Sequence, residues 1–244
     1  MLESLSWLQL ALAVTILVVA YVVRGITGFG SGLIAIPLLA LLLPLSVVVP
    51  MVGLLDYLAS LGHGVHHRRA VRWRELLPLM PFTLAGVGLA LYIFKTVDAE
   101  ILIKVLGVFV LAYAIYSLVG REPGGRGSRW LAVPAGGLGG FVGTLFGTGG
   151  PFYVIYLHAR GLDKTAFRAT IAVVFLLDGA SRQVGYMLSG FYTADMLLLV
   201  AVGLPVMMVA MYAGGHIHTR ITPQQFRRAI AVVLFGSGIA LLLR

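Results

Sequence analysis

The chain has 244 residues, of which 59% are hydrophobic and 11% charged, and its net charge is +9. Soluble domains carry about 25% charged residues, so this composition excludes a soluble globular protein and indicates a polytopic, all-α membrane protein. The basic excess is typical of cytoplasmic loops in such proteins, and no nucleic-acid partner is expected. The sequence has no cysteine, which excludes disulfides and cysteine-ligated metals.

Ten apolar segments follow one another, and we expect each to be a helix in the lipid bilayer. Two of them, 33–43 and 152–157, are too short to cross about 30 Å of hydrocarbon alone, and each directly follows a glycine-rich stretch. The segments are 5–23, 33–43, 47–61, 76–94, 101–119, 130–146, 152–157, 169–188, 196–213 and 229–243.

The glycine-rich stretches "GITGFGSG" and "GTLFGTGG" predict two broken helices, because glycine costs about 1 kcal/mol relative to alanine inside a helix. A helix that begins inside the membrane presents unpaired N–H groups and partial positive charge, which suits an anion. The sequence therefore predicts a mid-membrane anion site between two tracts, whose residues are Gly28, Phe29, Gly30, Ser31 and Gly32 in the first and Gly147, Thr148, Gly149 and Gly150 in the second.

Small residues also allow helices to pack closely, and this is the alternative role for glycine here. We expect packing for the glycines outside the two tracts, namely Gly25, Gly136, Gly137 and Gly140.

The two halves of the chain share an ordered set of short matches. "FGSG" at 29–32 matches "FGTG" at 146–149, "LLD" at 54–56 matches "LLD" at 176–178, and Tyr92 matches Tyr212. The common order favours an internal duplication, although apolar sequences match by chance in part. We expect repeats at 1–120 and 130–244, joined by a cytoplasmic linker at 121–129, within a single transmembrane domain.

Lysine and arginine predict the orientation. Four loops hold 13 of the 18 basic residues and should be cytoplasmic: 63–75, 121–129, 158–168 and 214–228. Each half then contains a glycine-broken hairpin and three transmembrane helices, both termini lie outside, and the repeats have inverted topology, as in many transporters. Whether the broken segments are re-entrant or short complete crossings stays open.

The residues that carry these features resemble the sulfite exporter TauE/SafE family of bacterial anion permeases. In the first half the resemblance lies in "GITGFGSGLIAIPLLALLLP", "VVVPMVGLLDYLASL" and "VRWREL". In the second half it lies in "GGLGGFVGTLFGTGGPF" and "GGHIHTRITPQQFRRAIAVVLFGSGIALLL". The resemblance implies a secondary transporter of sulfite, sulfonates, sulfoacetate or related organic anions in the inner membrane. The first glycine tract has fewer consecutive glycines than is usual in the family, so the substrate is not implied.

Charges within the apolar segments are functional candidates by default, because they are expensive in lipid. Asp178 and Arg182 are four residues apart and can pair on one helix face, either as a structural ion pair or as part of a transport site. Arg182 would lie 13 residues into a helix beginning at 169, roughly 20 Å along it, and is a candidate anion ligand. Asp178 and its repeat partner Asp56 are candidates for proton coupling. Arg24 either extends to a membrane surface or helps to bind the anion.

Other functions remain as alternatives. An anion channel would lack saturation and counterflow. An intramembrane serine hydrolase centred on Ser31 would need a base within hydrogen-bond reach, and the nearest histidines fall in a predicted cytoplasmic loop. The histidines at 63, 66 and 67, and those at 216 and 218, indicate headgroup contact more than a metal site. We expect no metal and no cofactor, with a small anion and lipid as partners, and self-association stays open.

Overall fold

A computed structural model describes residues 6–28, 30–62, 70–119, 127–217 and 223–244, and the regular elements in those ranges are helices. A 3-10 turn at Arg129–Leu131 leads into the seventh helix. The helices are α1 (Trp7–Thr27), α2 (Ser31–Leu39), α3 (Leu45–Gly62), α4 (Trp73–Leu76), α5 (Leu79–Thr96), α6 (Ala99–Val119), α7 (Ala132–Phe146), α8 (Gly150–Ala159), α9 (Lys164–Leu188), α10 (Ala194–His216) and α11 (Pro223–Leu243).

The predicted all-α polytopic membrane protein is confirmed. Each of the ten predicted segments is largely helical. Among the described residues, five helical spans are long and apolar enough to cross a membrane: Trp7–Thr27, Trp73–Thr96, Ala99–Leu118, Lys164–Leu188 and Ala194–His216. Both predicted helix breaks are also present. The helices after them, α2 with 9 residues and α8 with 10, are about 14–15 Å long, half of the hydrocarbon thickness.

The helices group into two compact units that do not follow the two halves of the sequence. The first unit contains α1, α2, α3 as far as Leu55, α6, α10 and α11. The second contains α3 from Asp56, α4, α5, α7, α8 and α9. Each unit therefore combines the broken hairpin of one half with helices of the other half.

Close backbone contact at glycine holds the first unit together. A Cβ atom at Gly25 of α1 would lie 2.5 Å from the Met211 carbonyl of α10, and one at Gly214 of α10 would lie 2.3 Å from the Val22 carbonyl of α1. Gly107 of α6 faces Gly238 of α11 in the same way, at 3.1 Å. Without side chains at these positions, the helix axes approach closely and gain van der Waals contact.

The second unit uses the same device between α5 and α7. A Cβ at Gly86 of α5 would lie 2.2 Å from the Gly137 carbonyl of α7, and one at Gly140 of α7 would lie 2.2 Å from the Thr83 carbonyl of α5. Gly136 lies against the Leu79 carbonyl at 2.6 Å. The predicted packing role is thus confirmed for Gly25, Gly136 and Gly140. Gly137 contributes its carbonyl, and its own Cβ position is open.

The helix α9 begins at Lys164, five residues before the predicted start at 169. The reason is a side-chain cap: the Asp163 carboxylate accepts hydrogen bonds from the N–H groups of Ala166 at 2.9 Å and Thr165 at 3.0 Å, which satisfies amides at the helix start. The same N–H groups, Ala166 first, hold the pKa of Asp163 below its usual value, with a contribution from Arg72.

The glycine contacts can be tested by comparing two neighbouring positions on α7. Gly140→Ala places a methyl group 2.2 Å from the Thr83 carbonyl, so α5 and α7 must separate, and we expect a loss of about 1–3 kcal/mol in stability. Gly137→Ala is the control, because no atom lies within 4 Å of its Cβ. Thermal unfolding in detergent measures both, and equal losses in the two variants would contradict the packing role.

Candidate functional site

The second break, residues 147–149, separates α7 from α8 in the second unit. Gly147 has a φ of 66°, in the left-handed region that glycine adopts without strain, and its N–H donates to the Gly143 carbonyl at 2.9 Å. Gly149 passes so close to α7 that a Cβ would lie 2.1 Å from the Gly139 carbonyl. Two glycines of the predicted tract are therefore required by the backbone itself.

Arg182 of α9 reaches this break. Its Nη2 pairs with Asp178 Oδ2 at 3.0 Å, as the four-residue spacing predicted, and its Nη1 donates to the Gly143 carbonyl at 2.7 Å. The Asp178 side chain is 1% exposed and that of Arg182 16%. Because α9 begins earlier than predicted, Arg182 lies 18 residues into the helix, about 27 Å along it rather than 20 Å.

One acceptor near the break, Asp178 Oδ1, is buried without a hydrogen-bond partner in the described part of the chain, and so are three donors: Thr144 Oγ1, Thr148 Oγ1 and Arg182 Nε. Leaving a buried donor unpaired costs about 1–3 kcal/mol, and more when it is charged. All three can donate to an oxygen of a ligand. The two threonines stand four residues apart on either side of Gly147, and the carbonyl that Arg182 holds belongs to the residue before Thr144.

Two buried tyrosines support these groups. Tyr186, one turn after Arg182 on α9, donates to the Thr144 carbonyl. Tyr153 of α8 donates to Thr83 Oγ1 at 3.4 Å and lies close to the Asp178 carboxylate. Its ring fills the space beside Gly139, where a Cβ would lie 2.5 Å from the ring.

Sequence reasoning missed Thr144, Tyr153 and Tyr186. The four-residue spacings of Thr144 with Thr148 and of Arg182 with Tyr186 are the signals that could have found two of them.

The first break, residues 28–30, differs in how its hydroxyl group is satisfied. Gly28 and Gly30 have φ values of 85° and 95°, and α2 starts at Ser31, which is fully buried. Arg24 of α1 donates from Nη1 to Ser31 Oγ at 3.0 Å. Arg24 therefore turns towards the break, and its role in anion binding stays a prediction.

Asp56 lies in the second unit, where it is half-buried and close enough to Arg182 for an electrostatic interaction. Tyr57, the next residue, packs on α9, where a Cβ at Gly179 would lie 2.9 Å from its ring. Both candidates for proton coupling thus lie near one guanidinium.

Some predicted residues lie outside the described part of the chain: Phe29, the histidines at 63, 66, 67 and 218, and linker residues 121–126. His216 is described; its ring lies 4.2 Å from that of Tyr212, centroid to centroid. Among the described residues, no group of three or more His, Asp or Glu side chains could hold a metal ion.

Membrane-spanning helices, two breaks and buried polar groups at one of them define a membrane transporter as the class of protein. The family model for the sulfite exporter TauE/SafE matches residues 12–241, and the chain belongs to this family. It is therefore a transporter rather than an enzyme.

The chain is similar to two bacterial proteins that are named as a transporter and an exporter. A probable inner membrane transporter protein TsaS of Comamonas testosteroni is 28% identical over 197 residues, 78% of this chain and 81% of the relative. A probable sulfite/organosulfonate exporter TauE of Cupriavidus necator is 24% identical over 228 residues, 89% of this chain and 88% of the relative. No solved structure matches the chain.

The unpaired hydroxyl of Thr148 leads to a stability test. Thr148→Val keeps the side-chain shape and removes a buried group that has no partner in the described part of the chain, so we expect the ligand-free protein to gain about 1 kcal/mol or more. Thr83→Val is the control: its hydroxyl donates to the Leu79 carbonyl at 3.0 Å, and its loss should destabilise. Melting temperatures in anion-free buffer compare the two, and a destabilised Thr148→Val would show that this hydroxyl is satisfied.

Proposed function

We propose that this protein is a secondary transporter of small sulfur-containing or organic anions, of the sulfite, sulfonate and sulfoacetate class, in the bacterial inner membrane. The names of the two relatives support the inner membrane and the substrate class. Transport proceeds by alternating access, and the two glycine-broken hairpins supply the anion-binding backbone.

One observation carries the proposal: the unpaired donors Thr144 Oγ1, Thr148 Oγ1 and Arg182 Nε gather near the second break. The α8 helix starts there at Gly150 with no side-chain cap, so its N-terminal partial positive charge also favours an anion. Asp178 already neutralises Arg182. An anion therefore gains more from directed hydrogen bonds than from net charge, which suits an oxyanion with several acceptor oxygens.

The helix pairing supports the inverted repeats at 1–120 and 130–244. The first helix of each half packs on the second transmembrane helix after the broken hairpin of the other half: α1 on α10, and α7 on α5. Two repeats related by a two-fold axis in the membrane plane would exchange helices in this reciprocal way. In this proposal the anion binds at mid-membrane, and Arg24, Ser31 and Gly32 are the anion-binding candidates at the first break.

Proton coupling belongs to the proposal through Asp56 and Asp178, which lie near the same guanidinium. A coupled carrier would accumulate anion when a pH gradient is imposed across the membrane. An uncoupled carrier or an anion channel would equilibrate the anion regardless of pH, and only the channel would lack saturation and counterflow.

The proposed orientation places both termini outside the cytoplasm, because only this arrangement puts all four basic loops inside. A reporter that requires the periplasm, fused after Arg244, should be active, and the same reporter inserted at 121–126 should be inactive. Activity in the reverse pattern would overturn the orientation and leave the family assignment intact.

Proteoliposomes test the transport function and the role of Arg182 together. Wild-type protein should take up at least one of sulfite, thiosulfate, sulfoacetate or another sulfonate with saturation and counterflow. Arg182→Lys keeps the charge but loses the Nε donor and the planar fork, so the apparent affinity should fall about tenfold or more with little change in melting temperature. Lys104→Ala, which breaks an exposed pair with Glu100, is the control.

A double variant separates a ligand from a structural ion pair. Arg182→Ala alone leaves Asp178 buried without its cation, which should cost about 3–5 kcal/mol. Arg182→Ala with Asp178→Ala should recover the stability but not the transport. A double variant that transports at the wild-type rate would exclude Arg182 as a ligand.

A further inference from the structure

Glu75 of α4 is a nearly buried carboxylate, 8% exposed, which binds three other side chains of the second unit. Oε2 accepts from Arg160 Nε at 2.7 Å and from the Tyr156 hydroxyl at 3.0 Å. Oε1 accepts from Arg160 Nη2 and Arg129 Nη2, both at 3.3 Å. A buried carboxylate with this many donors is held in one place, and loss of its charge leaves two guanidinium groups to find new partners.

These partners lie at the two outer ends of the α7–α8 hairpin. Arg129 is in the turn that leads into α7, and Arg160 follows the last residue of α8. The hairpin ends also bind each other: the Gly127 N–H donates to the Ala159 carbonyl at 2.7 Å, and Arg160 Nη1 donates to the Gly127 carbonyl. Glu75 therefore fixes the base of the hairpin whose other end is the second break.

The same short segment also binds the start of α9. The Arg72 N–H donates to Thr170 Oγ1 at 2.9 Å, and the Arg72 guanidinium lies 3.9 Å from the Asp163 carboxylate. Residues 72–75 thus bind the hairpin that carries Thr148 and the helix that carries Arg182.

Two tyrosines of α8 connect the base of the hairpin with the anion site. Tyr156 binds Glu75, and Tyr153, one turn closer to the break on the same face, lies close to Asp178, the partner of Arg182. Both tyrosines are at most 1% exposed. A shift of α8 at Glu75 is therefore transmitted along a short rigid helix to the ion pair at the site.

We propose that Glu75 is a positioning residue for anion binding: its carboxylate sets the register of the α7–α8 hairpin against α9, and so the placement of Thr144 and Thr148 relative to Arg182. This inference rests on the proposed function. It assigns a role in substrate affinity to a residue that contacts no part of the anion site directly.

The test is a double-mutant cycle on the uptake of isotopically labelled sulfite by proteoliposomes, measured well below the melting temperature of every variant. Glu75→Gln should raise the KM about tenfold in the wild-type background. In the Thr148→Val background it should raise the KM less than about threefold, because the group to be positioned is already gone. Glu100→Gln, which breaks an exposed pair with Lys104 at 2.6 Å, is the matched control and should leave the KM unchanged.

A purely structural role would lower the melting temperature of Glu75→Gln and leave its KM within twofold of wild type, and this would overturn the inference. Equal KM increases in both backgrounds would do the same. If Glu75→Gln does not fold, Arg129→Gln replaces it: this side chain is half-exposed and makes one contact to Glu75 at 3.3 Å, and a threefold rise in KM is expected. Wild-type protein that transports no anion overturns the proposed function itself, a result distinct from an unchanged KM in an active transporter.

Discussion

Inside a hydrocarbon layer every backbone N–H and C=O group needs a partner, and a helix can break there only where protein surrounds it. The second break meets this condition, because Thr148 and Gly149 are buried, whereas at the first break Gly28 is exposed and only the helix that follows is buried. The α2 helix after the first break is buried at eight of its nine residues, and the second break lies between α7 and α9, within reach of the Arg182 side chain. The unpaired polar groups at the second break therefore lie inside the protein, where they can bind a solute.

Glycine has two different structural roles in this chain, and the sequence alone does not distinguish them. At Gly140 and Gly214 it lets one helix lie against the backbone of another, and at Gly28 and Gly147 it reverses φ and ends a helix. The order of the ten longer helices, both breaks and the pairing of Asp178 with Arg182 could be predicted, because each depends on local spacing. The roles of Thr144, Tyr153 and Glu75 could not, because they depend on contacts between residues 39 to 85 positions apart. In the sequence Glu75 is part of the basic loop 63–75 and of the motif "VRWREL", and no local pattern indicates its buried contacts.

The two breaks have similar sequences and different chemistry. In the first, a guanidinium from the preceding helix satisfies the hydroxyl of Ser31. In the second, the arginine comes from α9, binds a carbonyl and a carboxylate, and leaves the hydroxyl of Thr148 without a partner in the described part of the chain. The two breaks thus have similar backbones. They differ in the helix that supplies the arginine, and only the second break has a threonine hydroxyl without a partner in the described residues.

The reciprocal pairing of α1 with α10 and of α5 with α7 has a consequence for biosynthesis. As the ribosome releases the first half of the chain, the backbone grooves at Gly25 and Gly86 have no helix to fill them, since their partners are encoded more than 45 residues later. Neither unit can close during the insertion of residues 1–119. The helices of the first half therefore remain separate in the lipid until the second half is inserted. Assembly of each unit is then a late, cooperative step.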